Sequence, residues 1–110
     1  MSTVHESPVK KFPGSVTIPD FLNYPQVLAF REAVQAAQEL GEGAKLVEYN
    51  HALLPGVIPC VEKWEIPSLP QVISADNFPV APTQASQRLT AWLIGLVTAL
   101  MNEADDIPNA

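Results

Sequence analysis

Residues 90–101 read Thr-Ala-Trp-Leu-Ile-Gly-Leu-Val-Thr-Ala-Leu-Met, an unbroken stretch without a charge. No other feature constrains the fold as tightly. The run is too short for a bilayer-spanning helix, which takes about 20 apolar residues. It is also too apolar around its circumference for a helix that shows one face to water. Something must cover it on more than one side, and in a chain of 110 residues a second chain is one source of that cover.

Length points to a single domain with one modest core. The hydrophobic fraction is 47% but only 16% of residues are charged, below the usual quarter or so. A full apolar complement with few charges implies surface given over to contacts. The net charge of −6 disfavours nucleic acid and anionic membranes as partners, since both reward Lys and Arg. The adjacent basic pair Lys10-Lys11 lies in a Pro-containing segment and reads as solvated. A single cysteine, Cys60, excludes an internal disulfide and a zinc site built on cysteines. The opening Met1-Ser2-Thr3-Val4-His5-Glu6 has no signal-peptide character, so the expected compartment is the cytoplasm.

Along the chain, residues 1–13 read as a flexible N-terminal arm closed by the Pro13-Gly14 turn. Residues 14–110 read as one helical domain. Ser15-Val16-Thr17-Ile18-Pro19 is a β-branched run, a short strand or extended arm whose Pro19 suits an edge. Val16 and Ile18 are its candidates for pairing with a neighbouring chain. A first helix is expected from Asn23 or Tyr24, with Pro25 in its first turn. Val27, Phe30, Val34, Ala37 and Leu40 then fall at helical spacing up to Gly41.

A second helical region spans about Lys45 to Glu65, with a stripe through Leu46, Tyr49, Leu53, Val57, Val61 and Trp64. Pro55 predicts a break near Leu53–Pro55, and a further helix from about Gly56 holds Pro59 in its first turn. Residues 66–82 carry Pro67, Pro70, Pro79 and Pro82 and read as a long loop whose Ile66, Leu69, Val72, Ile73, Phe78 and Val80 pack on the helices. The last helix starts near Pro82-Thr83 and stops near Ala104, ahead of Asp105-Asp106. It carries one apolar line through Ala85, Leu89, Trp92, Leu96 and Leu100, and a second through Leu93, Val97 and Met101. The fold class expected is therefore mainly α: three to four helices around one small core, an N-terminal extended arm and a long Pro-rich loop.

No residue set spells out a reaction. Glu48 and His51 are three apart on a helix, the spacing of two ligands in a carboxylate-bridged di-metal site. Such a site needs a second copy of the pair and two more carboxylates. A symmetric dimer would supply the copy, whereas an ordinary surface Glu and a part-exposed His explain the pair without one. Glu62 and Glu65 flank Trp64 beside Lys63 and read as a solvated face rather than an acid–base pair. Cys60 has no basic neighbour to make a thiolate and reads as packing. Gly41-x-Gly43 lacks the rest of a phosphate loop. Trp92 reads as core, with an interface anchor as the alternative. No cofactor, metal site or enzymatic activity is expected.

The order of several segments carries a resemblance. Phe12-Pro13-Gly14-Ser15-Val16-Thr17-Ile18-Pro19-Asp20-Phe21-Leu22 leads into a helix. Leu54-Pro55-Gly56-Val57-Ile58-Pro59-Cys60-Val61-Glu62-Lys63-Trp64 precedes a Pro-rich crossing. Phe78-Pro79-Val80-Ala81-Pro82 opens the helix that holds Ala91-Trp92-Leu93-Ile94, and the chain closes Ile107-Pro108-Asn109-Ala110. From Phe12 onward this order resembles the tail assembly chaperones of long-tailed bacteriophages. The resemblance implies a non-enzymatic, mostly helical, self-associating protein of the bacterial host cytoplasm. Its partners would be itself and the apolar, helical tape measure protein, which it shields until the tail tube polymerises, and it would be absent from the finished virion. That family has no catalytic motif, so no site residues transfer.

The partner-binding surface expected from the uncharged run is Trp92, Leu93, Leu96, Val97 and Leu100. A small structural or adaptor protein retained in the particle is the alternative reading. A dimeric metal enzyme using Glu48 and His51 is a third.

Overall fold

A computed structural model describes residues 1–105 of the protein, with side chains described as far as Asn102. The tail at 106–110, including the acidic stop at Asp106 and Ile107-Pro108-Asn109-Ala110, lies outside the described residues. The architecture is α+β, which corrects the mainly α expectation. Three strands, β1 (Ser2–Glu6), β2 (Ser15–Pro19) and β3 (Lys63–Glu65), form an antiparallel sheet in the order β1-β2-β3. Three helices accompany it: α1 (Tyr24–Glu39), α2 (Leu46–Val57) and α3 (Thr83–Asp105).

The extended arm does not exist as such. Residues 15–19 are the central strand, with β1 on one side and β3 on the other, and Val16 and Ile18 are 0% and 1% exposed. Alternation explains the burial: in a strand successive side chains point to opposite faces, so Val16 and Ile18 share the face that meets the helices. The segment expected to be flexible, residues 1–13, holds β1 and sends Val9 and Phe12 into the core.

Gly14 makes the reversal between the two strands possible. Its φ of +136° is open to glycine and strained for L side chains. Its carbonyl accepts the Ser7 N–H at 2.9 Å, and its Cα lies so close to the Glu65 carbonyl that a Cβ would overlap that oxygen.

α1 begins where the capping residues place it. Asn23 Oδ1 accepts the Gln26 N–H at 2.9 Å, and Gln26 Oε1 accepts the Asn23 N–H at 2.9 Å, a reciprocal capping box. The Gln26 amide also donates to the Pro59 carbonyl at 3.1 Å, tying this end of α1 to the turn after α2. α1 lies against α2 through Phe30 and Ala33, and Gly56 permits the close approach. A Cβ there would stand 2.7 Å from Phe30 Cα and 2.8 Å from Ala33 Cβ.

The region expected as a helix to Glu65 is three elements. α2 continues through Pro55, which sits in its last turn. There the proline forfeits the one helical hydrogen bond that its N–H would make to the His51 carbonyl. Ile58–Cys60 is a single 3₁₀ turn with Pro59 near its start, and the chain then extends into β3. Trp64 belongs to that strand, pairing with Val16 and meeting Phe78 edge-on at 6.5 Å between ring centroids. The crossing at 66–82 buries Ile66, Leu69 and Phe78. Asn77 staples its middle, accepting the Ser74 N–H at 2.7 Å and donating to the Val72 carbonyl at 2.6 Å.

Candidate functional site

The structure places the expected partner surface on α3 unevenly. Leu93 and Val97 are 0% exposed and stack with Leu89 and Met101 into the core. Trp92, Leu96 and Leu100 lie half-buried along the flank of that line, packed against the same core. Neither apolar line points outward. The exposed ribbon of the run is Ala91, Gly95 and Ala99, residues with little or no side chain. The run needs no cover on that side because it exposes only methyl groups and backbone there. Val16 and Ile18 are likewise interior, and the outer strands β1 and β3 form the edges of the sheet.

A different surface emerges where α2, the segment 75–80 and the start of α3 meet. These elements enclose an open groove of about 580 Å³, within the range of ligand pockets, roughly 300–1,000 Å³. Leu54, Phe78 and Thr90 form buried parts of its lining. Its rim carries Leu40, Val47 and Val80, large apolar side chains that remain 43%, 37% and 64% exposed. Hydrophobic rim and hydrophobic lining together make a continuous apolar concavity, the kind of surface that marks an interaction site.

The two hydroxyls of the groove are occupied within the protein. Thr90 Oγ1 donates to the Ser86 carbonyl at 2.8 Å, and Ser86 Oγ donates to the Val80 carbonyl at 2.9 Å, with the Thr83 carbonyl at 3.1 Å. These bonds spend both hydroxyl protons and fasten the 75–80 segment to α3. Asn50 differs: its Nδ2 is the buried side-chain polar atom without a partner among the described residues, and Asn50 lines the groove. A buried donor left unpaired costs about 1–3 kcal/mol. Two carboxylates, Glu48 and Asp76, also line the groove, and no Lys or Arg does.

Glu48 and His51 both face this groove, but the carboxylate serves its own helix. Glu48 Oε1 accepts the Lys45 N–H at 3.3 Å at the start of α2, where a negative charge is favoured by the helix dipole. Among the described residues, no three His, Cys, Asp or Glu side chains converge as metal ligands would. Glu62 accepts the Ser2 hydroxyl at 2.7 Å, and Glu65 meets Lys63 at 3.6 Å on an exposed face, where such a pair contributes little.

Cys60 is fully buried, its thiol within 3.4 Å of the Gly56 carbonyl. Burial pushes its pKa up from 9.0 to about 11, the opposite of an activated nucleophile. The unfolded thiol ionises near pH 9 while the folded one stays protonated, so the unfolded state binds fewer protons between the two values. Stability contributed by the neutral thiol is present below pH 9 and falls as pH rises toward 11. Urea melts across this window are expected to show a loss on the order of 2 kcal/mol that Cys60→Ala lacks. Equal slopes for the two proteins would contradict it.

The sequence signal for the groove is the excess width of the α2 stripe. Leu46-Val47 and Leu53-Leu54 are adjacent apolar pairs, more than one buried face requires, and the surplus residue Val47 forms rim. Among the described residues no helix is long and apolar enough to cross a membrane. No protein-family model matches the chain, and neither the curated proteins nor the solved structures contain a significant match to it.

Proposed function

We propose that the protein is a non-enzymatic phage tail assembly chaperone that self-associates and shields apolar helical segments of the tape measure protein. The observation that supports this reading best is the groove: an open apolar concavity with a hydrophobic rim, walled by α2 and α3. A helix laid in such a groove anchors apolar side chains at i, i+3 or i+4, and i+7. The carboxylates Glu48 and Asp76, unaccompanied by lysine or arginine, favour a client whose apolar stripe is flanked by basic residues. The low charge content of the chain, 16%, and the resemblance from Phe12 onward fit the same role.

Co-expression tests it. A tape measure fragment encoded beside this protein's gene should stay soluble and co-purify with it. Val47→Asp and Val80→Asp place charge on the rim, at exposed positions. Each is expected to lower client binding by more than roughly tenfold, as desolvating an unpaired carboxylate against an apolar helix requires. Unchanged co-purification by both variants would remove the groove from the reading. High copy number in purified particles would favour a structural or adaptor protein over a chaperone.

A further inference from the structure

We infer that the free edge of β1 pairs antiparallel with β1 of a second copy, joining two three-stranded sheets into one continuous sheet about a two-fold axis at Val4. The inference deepens the self-association in the proposed function and stands apart from its client. β1 and β2 pair with Thr3 opposite Ile18 and His5 opposite Val16. Just beyond the strand ends, the Asp20 N–H donates to the Met1 carbonyl and the Ser7 N–H to the Gly14 carbonyl, both at 2.9 Å. In an antiparallel ladder the bonded pairs recur at every second residue. The odd-numbered residues of β1 therefore bond inward to β2. The N–H and C=O groups of Ser2, Val4 and Glu6 point out of the sheet, at an edge where no described strand meets them.

The sequence of this edge admits one good self-register. Setting Val4 opposite Val4 places Ser2 opposite Glu6 and Glu6 opposite Ser2. All three outward-facing residues then meet outward-facing partners and exchange about six backbone hydrogen bonds. Val4, 59% exposed, gains a β-branched neighbour across the axis, a favourable cross-strand pair. The two Glu6 carboxylates fall at opposite ends of the ladder, about 14 Å apart at strand rise, farther than the screening length at physiological salt.

Sliding the register toward Glu6 parts Ser2 from Glu6 at the first step and brings the two Glu6 side chains face to face at the second. It would also run into Pro8, the next outward-facing position, which has no N–H to give. Sliding toward Ser2 discards bonded pairs. Pairing of one short strand buries less than the roughly 1,200 Å² of a stable interface, so the association is weak and is best read by cross-linking.

The test uses the full chain with Val4→Cys. Residues directly opposed in a bonded pair have Cα atoms about 5.5 Å apart, within disulfide range. Cys60, buried and held un-ionised, stays out of the reaction. Mild oxidation is expected to give a covalent dimer at least roughly tenfold faster than for Val72→Cys, a control on an exposed loop. Val4→Pro removes an outward N–H without touching the inward ladder and is expected to abolish concentration-dependent association in sedimentation.

A Val4→Cys rate no higher than the control overturns the inference, as does a folded Val4→Pro that associates like the parent. If Val4→Pro fails to fold, the cross-linking rate decides alone. Client co-purification by Val4→Cys kept reduced separates the two claims: retained binding with no cross-link defeats this interface and leaves the proposed function standing.

Discussion

Leu93→Ala is expected to destabilise the protein by about 3 kcal/mol and to lower its melting temperature by roughly 15 °C. Leu93 is 0% exposed and belongs to the line Leu89, Leu93, Val97 and Met101 that α3 presses into the core. Truncating it removes buried methyl groups and leaves a cavity that its neighbours in the core fill only in part. Leu96→Ala, on the half-buried flank, is expected to cost less than half as much, since its side chain is already partly in water. Thermal melts of the two variants decide the matter. A larger loss at Leu96 than at Leu93 would mean that the helix is turned the other way about its axis.

Gly14→Ala is expected to cost about 3 kcal/mol, through two effects that add. One is the φ of +136°, and the other is the overlap of the new Cβ with the Glu65 carbonyl. Relief of either moves Gly14 away from β3 and pulls on the Ser7–Gly14 hydrogen bond that closes the β1–β2 hairpin. Amide exchange should therefore quicken along β1 and β2 before it quickens in α3. Gly43→Ala is the control: nothing lies within 4 Å of a Cβ there, and its effect on stability is expected to be within about 0.5 kcal/mol of zero. Similar losses at Gly14 and Gly43 would argue against the close approach to Glu65.

The helices were largely legible in the sequence, and the sheet was not. Asn23, Pro25 and Gln26 mark the start of α1 with local chemistry, and the Phe30 and Ala37 spacing carries its buried face. The sheet left little trace because only its middle strand is buried. β1 reads Ser-Thr-Val-His-Glu and is mostly exposed, so it lacks the apolar alternation by which a strand is recognised. β3 is three residues long, and its Trp64 happens to continue the helical stripe through Val57 and Val61. Reading that stripe to Glu65 absorbed the strand that turns residues 15–19 from an arm into a core element.

The groove was hidden for another reason. Val47 and Val80 lie far apart in sequence and come to line one groove in the fold, where the Ser86 hydroxyl of α3 holds the Val80 carbonyl. On α3 the uncharged run gave the right helix and left its rotation open, because period alone cannot rank two neighbouring apolar lines. The small residues Ala91, Gly95 and Ala99 were the available sign of the outward side.

The position of β2 between two strands that flank it at unequal sequence distance has a consequence for how the chain is made. On the ribosome, β1 and β2 can close as a hairpin as soon as both have emerged, and α1 can find α2 soon afterward, since both pairings are local. The inner face of that hairpin, Val16 and Ile18, stays bare through this stage. Its last neighbour on the sheet is made after α2, and Leu89, Leu93 and Val97, which complete the same buried cluster, arrive with α3. Contacts of such wide separation form late, and an uncovered apolar strand pair is the kind of surface that sticks to other nascent chains. The protein is therefore most adhesive before α3 docks, and docking of α3 is the step that ends it.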